Sequence, residues 1–248
     1  MPAKFLLISD LDDTILGDDL ALARFAEFYA VRRDSLSLVY ASGRFFETIQ
    51  RDVQQTALPE PVAVIGGVGS EIRDYPAGQL NQAWVDRISA GWSAKRVRQL
   101  LADHPHLDMQ PASAQSDFKV SYYFNNASPD QLDQLKQQLA EHDLNVSIVY
   151  SSARDLDFLP AHVDKGTAAA FVAEQLGYAH DRVIVAGNSG NDSRLFEHNF
   201  GGVIVANAHQ ELKQLGDRPR AYLSTFERAD GVRDGLQYWM QVDSPAVP

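Results

Sequence analysis

Asp10 and Asp12 stand two residues apart at the end of an apolar run, Phe5-Leu6-Leu7-Ile8-Ser9, and lead into Asp13 and Thr14. A short apolar run ended by polar residues has the pattern of a strand buried on both faces. In open α/β sheets, ligands bind beyond the C-terminal ends of such strands. Residues two apart in an extended segment point the same way, so both carboxylates address one small volume. Like charges held that close repel unless a cation lies between them or one is protonated. Both remedies are useful for phosphoryl transfer. The plainer reading is a strand that runs out into an acidic turn.

Other polar groups close apolar runs further along. Ser42-Gly43-Arg44 follows Leu36 to Ala41, and Asn188 and Asp192 follow Val183 to Ala186 within Gly187-Asn188-Ser189-Gly190-Asn191-Asp192. Lys165 opens a helical segment, Lys165-Gly166-Thr167 through Leu176. Each has a simple structural reading: Ser42 as a helix N-cap, Asp192 as a capping acid, Lys165 as a solvated lysine, although the helix dipole disfavours a cation there. Together they supply an acidic nucleophile, an acid/base, a hydroxyl, a cation and a metal-binding acid at consecutive strand ends.

The elements that must position these groups alternate. Asp18 to Val31 and Phe45 to Thr56 have helical spacing of apolar residues, and Val62 to Gly67 reads as a third strand. The glycines that follow, before Glu71, suggest a bend or close backbone approach. From Gln82 to Pro160 the pattern changes to αβαββ: a long helix through Trp84 to Leu101, a strand Phe118 to Phe124, a helix Asp130 to His142 behind Ser128-Pro129, and two strands, Asn145 to Tyr150 and Arg154 to Leu159. The α/β rhythm then resumes, with Gly202 to Ala206 and Tyr222 to Thr225 as strands and Val232 to Val242 as a closing helix. The fold expected is α/β, a doubly wound parallel-sheet (Rossmann-like) core of residues 1–78 and 162–248, with an α+β cap inserted at 79–161.

The 248-residue chain is 45% hydrophobic and carries a net charge of −11, so it can fill a core and lacks the basic stripe of a nucleic-acid binder. With no cysteine, disulfides and thiolate metal sites are excluded. The N-terminal apolar run is too short for a signal peptide, and no segment approaches the roughly 20 apolar residues of a membrane span. The reading is a soluble, cytoplasmic protein, monomer or homodimer, with neither nucleic acid nor membrane as partner.

The four polar groups, in this order and with an insertion between the second and third, resemble the motifs of the haloacid dehalogenase superfamily of phosphatases. A narrower resemblance is to the sucrose-phosphate phosphatase and mannosylfructose-phosphate phosphatase family. It is carried by Leu6 to Asp12, Val68-Gly69-Ser70-Glu71-Ile72, Lys119-Val120-Ser121-Tyr122, Leu159-Pro160 ahead of Asp164-Lys165-Gly166, and Gly202 to Ala208.

The resemblance implies a Mg2+-dependent phosphatase acting on a small sugar phosphate, the 6-phosphate of a fructose-containing disaccharide. It implies Asp10 as nucleophile and Asp12 as acid/base. Asp10, Asp12, Asn188 and Asp192 are the metal set it implies. Ser42, Gly43, Arg44, Glu71, Lys119, Lys165 and Asn207 are the substrate-binding candidates. One departure stands out: the family usually has Asp where this chain has Asn188, and an amide oxygen can ligate Mg2+ but brings no full charge. A sugar phosphomutase, a broader sugar-phosphate phosphatase and a non-catalytic regulatory homologue are the alternatives.

Overall fold

A computed structural model describes residues 5–242; Lys4 of the first motif and the outermost stretches of the expected core, 1–4 and 243–248, lie outside them. The elements of the first part are β1 (Phe5–Ser9), α1 (Asp19–Ala30), β2 (Leu36–Ala41), α2 (Phe46–Gln55), β3 (Ala63–Gly66) and β4 (Glu71–Asp74). Next come α3 (Gln82–Ile88), α4 (Ala94–Leu101), β5 (Asp108–Met109), β6 (Val120–Tyr123), α5 (Pro129–Ala140), β7 (Val146–Ser151) and β8 (Asp155–Pro160). The last part holds α6 (Lys165–Gln175), β9 (Val183–Gly187), β10 (Gly201–Ile204), α7 (Gln210–Lys213), β11 (Ala221–Leu223) and α8 (Arg228–Val242).

Seven strands form one sheet in the order β11-β10-β9-β1-β2-β3-β4, with every pairing parallel except β3 with β4. Strand β1 is wholly apolar up to Ser9 because both of its faces are covered. Phe5 and Leu7 pack with Leu22 and Phe25 of α1, Ile49 of α2 and Leu236 of α8. Leu6 and Ile8 pack with Ala169 and Val172 of α6 on the other face. The chain winds outward from β1 to β4 on one side and from β9 to β11 on the other. The topological switch point therefore falls between β1 and β9, where a doubly wound sheet opens a crevice.

Four antiparallel strands form a second sheet, in the order β5-β6-β8-β7. Val120 and Tyr122 of β6 and Leu156 and Phe158 of β8 share one face, packed on Val97 and Leu101 of α4 and Leu135 and Leu139 of α5. The alternate residues point the other way. Among these, Leu159 and Val149 pack into the α6 side of the large sheet.

The chain departs from its sequence pattern at several points. The helix expected through Trp84 to Leu101 is two helices, because Gly91 takes φ +73° and Ser93 restarts the chain by accepting a hydrogen bond from the Arg96 N–H. Glu71–Asp74, for which no element was expected, is an antiparallel edge strand. Gly190–Glu197, which contains Asp192, is a 3-10 helix. No helix of the described residues is long and apolar enough to cross a membrane.

Candidate active site

Strand β1 extends its pairing one residue past its end, since the Asp10 N–H donates to the Ala186 carbonyl of β9 at 3.0 Å. The chain then turns, with the N–H groups of Thr14, Ile15 and Leu16 all directed at the Leu11 carbonyl, while Leu11 and Ile15 anchor the turn in the core. That turn brings the Thr14 hydroxyl to Asp10 Oδ2 at 2.9 Å. Asp10 is thereby fixed at the switch point with 5% of its surface exposed.

Lys165 is the first residue of α6. Asp164 caps that helix, accepting from the Thr167 N–H at 2.7 Å. Two glycines let the helix start come close to its neighbours. Gly69 has φ +101°, and a Cβ there would stand 2.4 Å from the Asp164 carbonyl oxygen; at Gly166 a Cβ would stand 2.2 Å from the Arg194 carbonyl oxygen. Lys165 is fully buried, and its Nζ donates to Asp10 Oδ1 and Asp192 Oδ1, each at 2.7 Å. Asp192 is also fully buried, and its Oδ2 accepts from the N–H groups of Asn188 at 2.9 Å and Ser189 at 3.1 Å. The capping reading of Asp192 is thus realised together with its contact to Lys165.

Burial is the largest influence on Asp10 and pushes its carboxyl up to about 6; Asp192 adds to this, while Lys165 and Thr14 oppose it. Burial alone would push the Lys165 ammonium down, but the two carboxylates outweigh it and hold the group above the usual lysine value. Lys165 compensates only one of its two neighbours. Hard oxygen donors with excess negative charge, beside the buried Asn188 whose backbone N–H reaches Asp192, have the chemistry of a donor set suited to Mg2+. Among the described residues no group of three or more His, Cys, Asp or Glu side chains is placed to hold a metal ion.

Asp12 stands beside this cluster, near enough for Asp10 and Lys165 to act on its carboxyl. Arg44 grips it with two guanidinium nitrogens, one of them Nε at 2.8 Å from Asp12 Oδ2, and reaches Asp52 of α2 with Nη1 at 2.6 Å. Burial raises the Asp12 carboxyl above its ordinary range, with Arg44 opposing. Ser42 is fully buried and does not cap a helix: its hydroxyl oxygen accepts from the Arg44 N–H at 3.2 Å, Gly43 lies between, and α2 starts only at Phe46.

Two other candidates are engaged in bracing. The Glu71 carboxylate accepts from the Phe46 N–H at 2.8 Å and from Arg73 Nε at 3.1 Å, so it caps α2 from β4. Asn207 donates to the Asp13 carbonyl at 2.7 Å and accepts from the Arg228 N–H at 2.9 Å, tying the turn after β1 to α8. Lys119 is buried at the β6 entrance, 3.2 Å from Asp157 and 5.6 Å from the ring centre of Phe45.

Residues outside the initial candidates also bear on the site. Thr14 was legible only as part of the first motif; its i+4 spacing from Asp10 is the signal once the chain turns helically. Asp52 lies in α2 and Asp157 in β8, each beside a second acid of the same element, Glu47 and Asp155, and only the fold shows what they face.

A family model described as sucrose-6F-phosphate phosphohydrolase matches residues 3–240. A mannosylfructose-phosphate phosphatase of Agrobacterium fabrum is 35% identical, over 94% of this chain and 96% of that protein. A probable sucrose-phosphatase 2 of Arabidopsis thaliana is 32% identical over 96% of this chain, which spans 60% of the plant protein's length. Among solved structures, the sucrose-phosphatase of Synechocystis in complex with sucrose and phosphate matches with a TM-score of 0.89 and 34% identity, over 96% of this chain and 98% of that one.

Proposed function

Because this chain belongs to the sucrose-6F-phosphate phosphohydrolase family, and is a sugar-phosphate phosphatase of the haloacid dehalogenase type, we propose that its substrate is the 6-phosphate of a fructose-containing disaccharide. Sucrose 6-phosphate and mannosylfructose 6-phosphate are the two compounds that the related proteins bring into question. The observation that carries the catalytic reading is the Lys165 ammonium, bound at 2.7 Å to both Asp10 and Asp192 at the switch point of the sheet.

We assign Asp10 as the nucleophile. Its carboxylate attacks phosphorus, an O–P bond forms, and the bond from phosphorus to the sugar oxygen breaks. Asp12, whose carboxyl is raised, gives its proton to the departing sugar oxygen and then removes one from the water that hydrolyses the aspartyl-phosphate. Lys165 and the Ser42 hydroxyl stabilise the charge on the phosphoryl oxygens. Asp10, Asp12, Asn188 and Asp192 would hold Mg2+, which when bound supplies further positive charge against the phosphoryl group. Glu71 and Asn207 act through the segments they brace, α2 and the turn after β1. Residues 79–161 form the cap, which covers the site and carries Lys119.

The test is phosphate release with Mg2+ from sucrose 6-phosphate, mannosylfructose 6-phosphate, fructose 6-phosphate and glucose 6-phosphate, with Asp10→Asn as control. We expect selective turnover of a disaccharide phosphate and a loss of at least about 10^3-fold in the variant, since removal of a nucleophile typically costs that much or more. Turnover that survives in Asp10→Asn would exclude the assigned nucleophile. Conversion of a sugar phosphate without phosphate release would favour a mutase.

A further inference from the structure

Between the segments Ser42-Gly43-Arg44 and Asp164-Lys165 runs a turn to which the phosphoryl chemistry assigns no role. Gly67, Val68 and Gly69 take φ +55°, +60° and +101° in succession. Glycine adopts that conformation readily. For a buried β-branched residue such as Val68 it is strained, and it persists only where the surroundings hold it. On one side the Val68 N–H donates to the Ser42 carbonyl at 3.0 Å, and the Gly67 N–H donates to the Arg44 carbonyl at 2.9 Å. On the other side Gly69 lies against the start of α6, where a Cβ would stand 2.4 Å from the Asp164 carbonyl oxygen and 3.1 Å from the Lys165 backbone nitrogen. The turn is thus a spacer that sets how far the Ser42 loop stands from Lys165.

A tryptophan from the inserted segment holds this spacer. The Trp84 indole N–H donates to the Gly69 carbonyl at 3.0 Å. Trp84 is 1% exposed, and its ring lies 4.9 Å from that of Phe171 in α6. Helix α3, which carries it, is fastened to the core: Trp84 and Ile88 pack with Leu6, Ile8 and Val172, whereas α4 and α5 pack on the small sheet. Asn81 caps α3 by accepting from the Trp84 backbone N–H at 3.1 Å, and its amide donates to Gln175 of α6 at 2.6 Å. The indole is therefore held from three sides before it reaches Gly69.

A neutral hydrogen bond is modest in itself, but this one falls on a carbonyl of a buried turn, where an acceptor left without a donor is unfavourable. Releasing that carbonyl lets the strained turn relax, and the two segments it separates shift with it. We propose that Trp84 is a positioning residue for the phosphoryl site: its indole N–H holds the Gly67–Gly69 turn and thereby sets the separation of Ser42 and Lys165. Trp84 touches neither substrate nor reacting atoms and acts only through Gly69. The proposal rests on the phosphoryl roles given above to Ser42 and Lys165.

The experiment measures Tm, and kcat and KM for sucrose 6-phosphate and p-nitrophenyl phosphate with Mg2+. It compares the wild-type chain, Trp84→Phe, a chain with benzothienylalanine at position 84, and Phe171→Leu. Benzothienylalanine has the shape of tryptophan with sulfur in place of the N–H, so it removes the donor and keeps the packing, which leaves the test usable if Trp84→Phe folds poorly. Phe171→Leu does the reverse, loosening the packing and keeping the donor. In the two chains without the donor we expect kcat to fall about 10-fold for both substrates alike, with KM held within about twofold, because the displaced groups serve the phosphoryl group common to both. Phe171→Leu should lower Tm and keep kcat within about twofold of wild type. Wild-type kcat in the benzothienylalanine chain, an equal loss in Phe171→Leu, or a loss confined to the sugar phosphate overturns the proposal alone. A wild-type chain that releases phosphate from neither substrate overturns the underlying reading, and the proposal with it.

Discussion

Two buried lysines define two regions of this molecule. Lys165 lies at the switch point of the large sheet with a carboxylate on each side, both at 2.7 Å. Lys119 lies on the small sheet with one carboxylate at 3.2 Å and an aromatic ring opposite. The first is over-determined by charge: removing its ammonium leaves two buried acids facing each other. The second is balanced one to one, and its carboxylate retains a serine hydroxyl. The region around Lys165 is therefore held by electrostatics that tolerate little change, and the region around Lys119 is held more loosely.

That contrast predicts the largest effect at Lys165. Lys165→Met should abolish turnover, by at least about 10^3-fold, because it removes a charge on the phosphoryl group. Without added divalent ion it should also cost about 3–5 kcal/mol of stability, as for a buried pair broken from one side. Lys119→Met should cost less, about 1–3 kcal/mol, because Ser121 still donates to Asp157. Denaturant titration of the two variants side by side measures this. Equal losses would break the comparison.

The region around Lys165 was also the more legible in sequence. Asp10, Ser42, Lys165 and Asp192 each end an apolar run or begin a helix, so the strand pattern that places them is visible before the fold is known. The unbroken apolar run of β1 and the helical spacing of α1 and α6 carried the large sheet. Its failures are local: β4 is only four residues long and starts beside three glycines, so its pairing with β3 comes from tertiary contact rather than pattern. The helix break at Gly91 has a similar origin, since Trp84 to Leu101 keeps apolar periodicity across a backbone that turns. Glu71 and Asn207 were legible as polar residues near the right strand ends but not as braces, because the direction of a side chain depends on the turn that carries it. Asp157 was not legible at all, since an acid in a strand that also carries Asp155 announces a role only when the residue across the sheet is known.

A second, intermediate effect is expected from glycines of the two regions. Gly69→Ala would place a Cβ 2.4 Å from the Asp164 carbonyl oxygen, so the start of α6 has to move and carry Lys165 with it. A displacement of about 1 Å in a catalytic group can cost on the order of 100-fold in rate, so kcat should fall about 10–100-fold. Gly91 also has a positive φ, +73°, but a Cβ there meets nothing within 4 Å. Gly91→Ala should cost only the backbone strain, about 1–2 kcal/mol, with kcat preserved. Thermal melts and initial rates on both variants separate the two cases, and a catalytic loss at Gly91 as large as that at Gly69 would show that the two regions are not mechanically distinct.

The smallest effect tests whether the over-determined charge at Lys165 can be shifted by one unit. Asn188 is buried, and its backbone N–H donates to Asp192 Oδ2 at 2.9 Å. Asn188→Asp adds a third acid to a site where one ammonium already faces two. In metal-free protein the added charge repels Asp192 and Asp10, so stability should fall. With Mg2+ the same charge becomes a stronger hard-oxygen donor, so the concentration giving half-maximal activity should drop by about tenfold, equivalent to about 1.4 kcal/mol. The two effects have opposite signs. A melting temperature that falls without Mg2+ and recovers with it identifies Asn188 as a metal ligand independently of turnover. A variant that loses stability equally with and without the ion would remove Asn188 from the donor set and leave Asp10, Asp12 and Asp192 to hold the cation.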